Sequence, residues 1–118
     1  MKFVFSLSGY FRDNSYQVTY KAGALICNQY QQMPFPELDI AIPVTENEDW
    51  RILQQFLTTS QWKRNYHSLT LDGTQWELQA EINGRKIRSY GNNVFPPIFG
   101  ELVRLLNKIT IPAGLEID

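Results

Sequence analysis

Hydrophobic and polar residues alternate along the first third of the chain, and this spacing predicts β-strands. Gly9 to Asn14 separates two such runs and is predicted to be a turn. Gly23 can adopt a positive φ, so it can bend the chain into a third strand at about Ala24 to Tyr30. The apolar positions of the first two runs are Phe3, Phe5 and Leu7, then Tyr16, Val18, Tyr20 and Ala22.

Two prolines limit the structure that can follow the third strand. Met33-Pro34-Phe35-Pro36 lacks two backbone donors, and each proline restricts the residue before it. Residues 33–44 are therefore predicted to form a loop or an edge strand around Leu38 to Ile42.

A helical spacing of apolar residues begins after this segment. Thr45 is a candidate N-cap, and Glu48, three residues later, completes a capping box. Glu46, Glu48 and Asp49 fall where the positive end of the helix dipole favours carboxylates. Residues 58–60 are weak helix formers and are predicted to end the helix. Its apolar face consists of Trp50, Leu53, Phe56 and Leu57.

The second half of the chain returns to alternation. Leu69 and Leu71 alternate before Asp72-Gly73, a strong turn dipeptide. Asn83-Gly84 is the strongest hairpin signal in the chain, and a two-residue loop there pairs Ile82 with Arg85. The same register pairs Glu81 with Lys86, Ala80 with Ile87, Gln79 with Arg88 and Glu77 with Tyr90.

A second amphipathic helix is predicted to close the fold. Pro96-Pro97 can begin a helix because the φ angle of proline is already set, and Thr110, Pro112 and Gly114 end it. The residues that follow form either a loose tail or an edge strand. The elements together predict one α+β domain over residues 1–118, in the order βββα-βββα. About six strands form a mostly antiparallel sheet, with both helices packed on one face.

Composition narrows the possible functions. The 118 residues include three Trp, six Tyr and seven Phe, which is more apolar area than a disordered chain carries. A net charge of -1 argues against a broad electrostatic grip on nucleic acid or anionic lipid. No apolar run approaches the roughly 20 residues of a membrane span. Polar residues from Ser6 onward interrupt a signal-peptide core, so we expect a cytoplasmic protein.

Few residues suggest catalysis. One cysteine and one histidine exclude most metal sites, so we expect no metal and no cofactor. His67 is either a general base or an exposed loop residue, and Cys27 is predicted to be a buried structural thiol. With no phosphate loop, paired carboxylates or nucleophile elbow, we assign no catalytic residue. One alternative is a small hydrolase or ligand-binding enzyme that uses His67, Tyr66 and Asp72. The other is a regulatory nucleic-acid-binding protein that uses Arg85, Lys86, Arg88 and Tyr90.

Two groups of charged residues are candidate contacts for a partner. Lys86, Arg88 and Tyr90, with Arg85 as a possible extension, form either a nucleic-acid contact or a solvated face paired with acidic residues on the neighbouring strand. The second group could either steer a protein partner or simply cap the first helix; it consists of Glu46, Glu48 and Asp49.

A further set of residues resembles a pattern found in small bacterial proteins, which reads Asp-Gly, a Trp strand and a Gly-Ser-Asn-x-Tyr-Pro loop before a closing helix. Here Asn92 replaces the serine and Phe95 the tyrosine of that loop. The residues that carry the resemblance are Trp62, Tyr66, Leu71-Asp72-Gly73, Trp76-Glu77-Leu78, Tyr90-Gly91-Asn92-Asn93, Phe95-Pro96 and Phe99.

Proteins of this size and style are also similar to immunity proteins of bacterial toxin systems, including contact-dependent inhibition. This resemblance implies a non-catalytic binding protein that neutralises a cognate toxin by blocking its active site. The partner would be a protein, with no membrane contact and with nucleic acid disfavoured. The residues assigned to partner binding are Glu46, Glu48, Asp49, Lys86, Arg88 and Tyr90.

Overall fold

A computed structural model describes residues 1–9, 12, 14–31, 36–67 and 73–118 of the chain. These residues form an α+β fold, in which a mostly antiparallel sheet of seven strands is accompanied by two α-helices. None of these helices is long and apolar enough to cross a membrane. The strands are β1 (Lys2–Gly9), β2 (Ser15–Lys21), β3 (Ala24–Tyr30), β4 (Leu38–Pro43), β5 (Asn65–His67), β6 (Thr74–Ile82) and β7 (Arg85–Asn92). The helices are α1 (Glu48–Thr59) and α2 (Pro97–Thr110), and a short 3₁₀ turn (Ile111–Ala113) follows α2.

The strand order across the sheet is β4-β3-β2-β1-β6-β7-β5. Neighbouring strands are antiparallel except β5 and β7, which run parallel. The expectation of about six strands, three before each helix, is wrong for the first half. Leu38–Pro43 pairs with β3 along its length and adds a fourth strand before α1. The strand expected around Leu69 and Leu71 and the start of the Asp72-Gly73 turn lie outside the described residues.

Both helices pack on the same face of the sheet, as the apolar stripes predict. Trp50 of α1 meets Phe3 edge to face, with ring centroids 5.5 Å apart, and Phe99 of α2 lies 6.0 Å from Phe5. Phe3 and Phe5 point the same way because side chains alternate along a strand. We call this side the covered face. Its fully buried side chains include Phe3, Phe5, Val18, Leu25, Leu53, Leu57, Leu78, Leu102 and Leu106.

Helix α1 begins two residues later than its sequence suggests. The N-cap is Asn47, whose Oδ1 accepts a hydrogen bond from the Trp50 amide at 2.9 Å. Thr45 instead lies in a preceding turn and donates to the Gly23 carbonyl oxygen at 3.4 Å. The capping box therefore does not form, because Glu48 becomes the first residue of the helix. Asparagine ranks at least as high as threonine at an N-cap, so the local sequence did not decide between them.

The β6–β7 hairpin forms in the predicted register, with Ile82 opposite Arg85 and Glu77 opposite Tyr90. Its turn residues, Asn83 and Gly84, both have positive φ, 52° and 81°. These are the left-handed conformations that a type I′ turn requires. The Asn-Gly dipeptide thus fixed the pairing of these two strands.

The residues after α2 dock against the core without forming a strand. Leu115 and Ile117 are each 1% exposed, whereas Ile111 is half exposed in the 3₁₀ turn. The Asn107 side chain forms two hydrogen bonds with the backbone of Ile117. Its Nδ2 donates to the Ile117 carbonyl oxygen, and its Oδ1 accepts from the Ile117 amide, both at 2.8 Å. A side chain therefore supplies the two hydrogen bonds that a neighbouring strand would have supplied.

Candidate partner-binding surface

The side of the sheet opposite the helices carries mostly polar and charged residues on β1, β6 and β7. We call this side the open face. On β1, β6 and β7 its residues align in cross-strand rows, because directly paired residues share a face. The rows are Lys2–Glu81–Lys86, Val4–Gln79–Arg88, Ser6–Glu77–Tyr90 and Ser8–Gln75–Asn92.

A groove of about 530 Å³ lies where these strands meet β5. Ser6 and Ser8 are short, so they leave a depression beside the taller Tyr90, whose side chain is 41% exposed. The Glu77 carboxylate faces the groove and accepts a hydrogen bond from Gln79. Hydroxyl, amide and aromatic groups therefore converge in an open position where another molecule can reach them.

Lys86 and Arg88 are exposed on the open face beside Tyr90. Neither cation lies within 4.0 Å of a carboxylate oxygen in the described part of the chain. Lys86 therefore lies opposite Glu81 across the hairpin, as expected, but the two side chains do not form an ion pair. Both residues are exposed, and neither side chain forms a hydrogen bond with another described residue.

Arg85 does not extend this group of residues. It pairs with the buried Ile82, and its guanidinium donates to the carbonyl oxygens of Thr58 and Ser60 at the end of α1. Cations are favourable at a helix C-terminus because the last carbonyl groups lack partners within the helix. Arg85 therefore has a structural role that ties the hairpin to α1.

The acidic group at the start of α1 lies far from Tyr90. Trp50 of the same turn stacks on Tyr20 of β2 at 5.7 Å, which places this end of α1 on the covered face, three strands from β7. Glu48 pairs with Arg51, and this hydrogen bond holds the pKa of the Glu48 carboxyl below its ordinary value. The six residues assigned to partner binding therefore form two surfaces, since Glu46, Glu48 and Asp49 are separated by the sheet from Lys86, Arg88 and Tyr90.

Three of the residues that carry the resemblance, Trp76, Gly91 and Asn93, connect β6 to the segment between β7 and α2, and we call these three residues the clasp. The Trp76 indole Nε1 donates to the Val94 carbonyl oxygen at 2.9 Å. A Cβ on Gly91 would lie 2.2 Å from that indole nitrogen, so only glycine admits the ring. Gly91 is thus required for close approach of the ring and not for a positive φ, which it does not have.

Asn93 completes the clasp, and its φ is positive, at 60°. Its Oδ1 accepts from the Thr74 amide at 3.0 Å, and its own amide donates to the Thr74 carbonyl oxygen at 2.8 Å. The side chain passes so close to Gly73 that a Cβ there would lie 2.1 Å from it. Phe95 packs on Phe99 of α2, with ring centroids 4.9 Å apart. These motif residues are therefore used to shape the fold.

The candidates for catalysis are only partly visible. The Tyr66 hydroxyl accepts from the Lys63 amide at 2.9 Å, and its ring packs on Trp76. The side chain of His67 and the whole of Asp72 lie outside the described residues. Cys27 is buried, and burial raises the pKa of its thiol to about 11, so it stays protonated at neutral pH. Among the residues that the structure describes, no group of three His, Cys, Asp or Glu side chains could hold a metal ion.

Sequence reasoning missed the groove because it depends on the pairing of β1 with β6. Ser6 and Ser8 were visible as the polar positions of an alternating strand, but nothing local placed them beside Gln75 and Glu77. Asn65 was missed because β5 is only three residues long. Comparison with protein-family models, curated proteins and solved structures finds no match to this chain.

Proposed function

We propose that this protein is a non-catalytic protein-binding module that holds its partner on the open face of the sheet, around Tyr90. The observation that carries the proposal is the exposed Tyr90 ring at the wall of a polar groove. Tyrosine at such positions often dominates binding energy, because a rigid ring and a hydroxyl bury together at small entropic cost.

The use of the other distinctive residues supports the same proposal. Trp76, Gly91, Asn93 and Arg85 each have a contact inside the fold that accounts for them. Lys86, Arg88 and Tyr90 have no comparable internal role, although they lie side by side on one strand. Side chains that do not stabilise the fold but are grouped on its surface are available to contact another molecule.

The biological form of the proposal is an immunity protein that neutralises a cognate bacterial toxin by covering its active site. It rests on the family resemblance described above and on a surface suited to a protein partner. Such a protein needs a rigid scaffold and a specific face, and it needs no chemistry of its own. The acidic surface at the start of α1 is a second contact region only if the partner reaches around the edge of the sheet.

Binding to the product of the adjacent gene tests this function. We expect the two purified proteins to form a complex by isothermal titration calorimetry, and the adjacent protein to lose its toxic activity when bound. Tyr90→Ala should weaken the complex roughly tenfold or more, as expected for a central tyrosine. Tyr30→Ala is the matched control, because Tyr30 lies on β3, four strands from β7. Absence of a complex, or equal losses for both variants, would contradict the proposal.

A further inference from the structure

Positive charge gathers at the β7 end of the sheet. Lys86 and Arg88 project from the open face of β7, and Lys2 lies in the same cross-strand row as Lys86. Lys63 and Arg64 are exposed beside β7, where the Arg64 carbonyl oxygen accepts from the Tyr90 amide at 3.1 Å. The described carboxylates in the cross-strand rows of β1, β6 and β7 are those of Glu77 and Glu81.

Negative charge gathers at the opposite end. Glu37 precedes β4 and Asp39 lies within it, and Glu46, Glu48 and Asp49 follow between β4 and the first turn of α1. Lys21 and Arg51 also lie at this end, and Arg51 pairs with Glu48, so the acidic residues outnumber the basic ones here by five to two. Opposite signs therefore predominate at the two ends, although the formal charge of the whole chain is only -1. A separation of this kind orients an approaching charged protein before contact.

The cations at the β7 end differ from those elsewhere in the availability of their donors. Arg12, Arg51 and Arg104 each form an ion pair with a nearby carboxylate. Lys86 and Arg88 form none within 4.0 Å among the described residues, although Glu81 is directly opposite Lys86. Their hydrogen-bonding capacity is therefore available to another molecule.

The arrangement of signs favours a protein over a nucleic acid. The row Lys2–Glu81–Lys86 alternates positive, negative and positive across three strands, a span of roughly 10 Å. A polyphosphate carries charge at every unit and would place some of it against Glu81. A folded protein can position separate carboxylates opposite the cations and a neutral or basic group opposite the glutamate.

We propose that the β7 end of the open face docks onto carboxylate side chains of its protein partner, with Lys86 and Arg88 each facing one. This inference rests on the proposed protein-binding function and specifies the chemistry of the partner. Because the contacts lie beside the Tyr90 groove, one partner surface would fill the groove and pair with both cations. The acidic end of the sheet would face away from the partner.

Charge reversal tests the inference with the purified product of the adjacent gene. We expect Arg88→Glu to weaken the complex by about tenfold or more, mainly through slower association, and a rise in NaCl to slow association of the unmodified protein. Lys108→Glu changes net charge equally in the last turn of α2, so it should change affinity by less than about twofold. Circular dichroism and the midpoint of unfolding check that each variant folds. If Arg88→Glu does not fold, Arg88→Gln replaces it in the binding experiment.

The outcomes separate this inference from the function on which it rests. If the complex forms and neither Arg88→Glu nor salt changes its affinity or association rate, the partner does not present carboxylates to β7. The protein-binding function would then stand without this inference. If the unmodified protein forms no complex, both the inference and the proposed protein-binding function are wrong. Salt-dependent binding of a 20-nucleotide single-stranded oligonucleotide, lost in Arg88→Glu, would overturn the protein partner in favour of nucleic acid.

Discussion

The two faces of the sheet differ in polarity although the same strands form both. On the covered face, each strand presents apolar side chains that the helices and the docked tail seal from water. On the open face, the same strands present serine, glutamine, glutamate, lysine and arginine to solvent. Substitutions on the covered face should therefore change the stability of the fold, whereas those on the open face should change only what the protein binds. Substitutions of single side chains and a change of pH test that division.

Trp76→Ala should cause the largest loss of stability. The Trp76 ring is 2% exposed and lies within 6 Å, centroid to centroid, of Trp62, Tyr66 and Phe99. Removing it leaves a cavity and deletes the hydrogen bond to Val94, which should lower the free energy of unfolding by about 3–5 kcal/mol in urea titrations. Gln75→Ala, at the preceding residue but on the open face, should change the free energy of unfolding by less than about 0.5 kcal/mol. Similar losses for the two variants would contradict the division between faces.

Alkaline pH should lower the stability of the fold through two buried groups on the covered face, the Tyr16 hydroxyl and the Cys27 thiol. The pKa of Tyr16 is raised from 10.0 to about 12, first by burial and then by its hydrogen bond to Asp118. Burial raises the pKa of Cys27 from 9.0 to about 11. Both groups bind protons more tightly when folded, so their contribution to stability is complete below about pH 9 and is lost as pH rises toward 12.

Unfolding free energies measured between pH 8 and pH 12 check this expectation. Tyr16→Phe removes one titrating group, so its stability should fall less steeply above pH 10 than that of the unmodified protein. Equal slopes for the two proteins would show that the hydroxyl of Tyr16 is not held in its protonated form by the fold.

Two glycines provide a matched pair. Gly91→Ala places a Cβ 2.2 Å from the Trp76 indole nitrogen, and overpacking of this kind costs about 1–3 kcal/mol. Gly100→Ala, in the first half of α2, meets no atom within 4 Å and should stabilise the helix by about 0.5–1 kcal/mol. The midpoint of thermal unfolding should therefore fall in Gly91→Ala and rise in Gly100→Ala. A Gly91→Ala protein as stable as the unmodified one would contradict the close approach of Trp76 to Gly91.

The smallest effect concerns the start of α1. Asn47→Ala removes the side chain that caps the helix and should cost about 1 kcal/mol. Thr45→Ala removes only a long hydrogen bond of 3.4 Å to Gly23, so the expected cost is a few tenths of that value. Chemical denaturation of the two variants decides between the observed cap and the one that the sequence suggested. A larger loss for Thr45→Ala would favour the sequence-based assignment.

Elements fixed by neighbouring residues were predictable. The Asn83-Gly84 turn set the β6–β7 register because few dipeptides tolerate two consecutive left-handed residues. The apolar stripe of α2 identified that helix and the side that it buries. Even so, similar local signals competed at α1, where Thr45 and Asn47 were both suitable caps and only the turn before the helix selected one.

The candidate surface was only half predictable for the same reason. Lys86, Arg88 and Tyr90 alternate along one strand, so their common direction follows from the sequence. Ser6 lies in the same row as Tyr90 only because β1 pairs with β6, and the paired residues Ser6 and Glu77 are 71 positions apart in the chain. The role of Arg85 was also hidden, because the end of α1 reaches it only after the sheet and helix have packed.

The sequence alone thus determined five of the described strands (β1, β2, β3, β6 and β7), both helices, the hairpin register and the polarity of those strands, because these depend on backbone conformation and spacing over a few residues. It left β4 open between a loop and an edge strand, and it did not indicate the three-residue β5. Tertiary structure decided the strand order, the contact of Asn107 with the C-terminal segment and the separation of charge between the two ends of the sheet. Such features arise from contacts between distant segments, whose free energy depends on how the whole core packs and not on any local pattern.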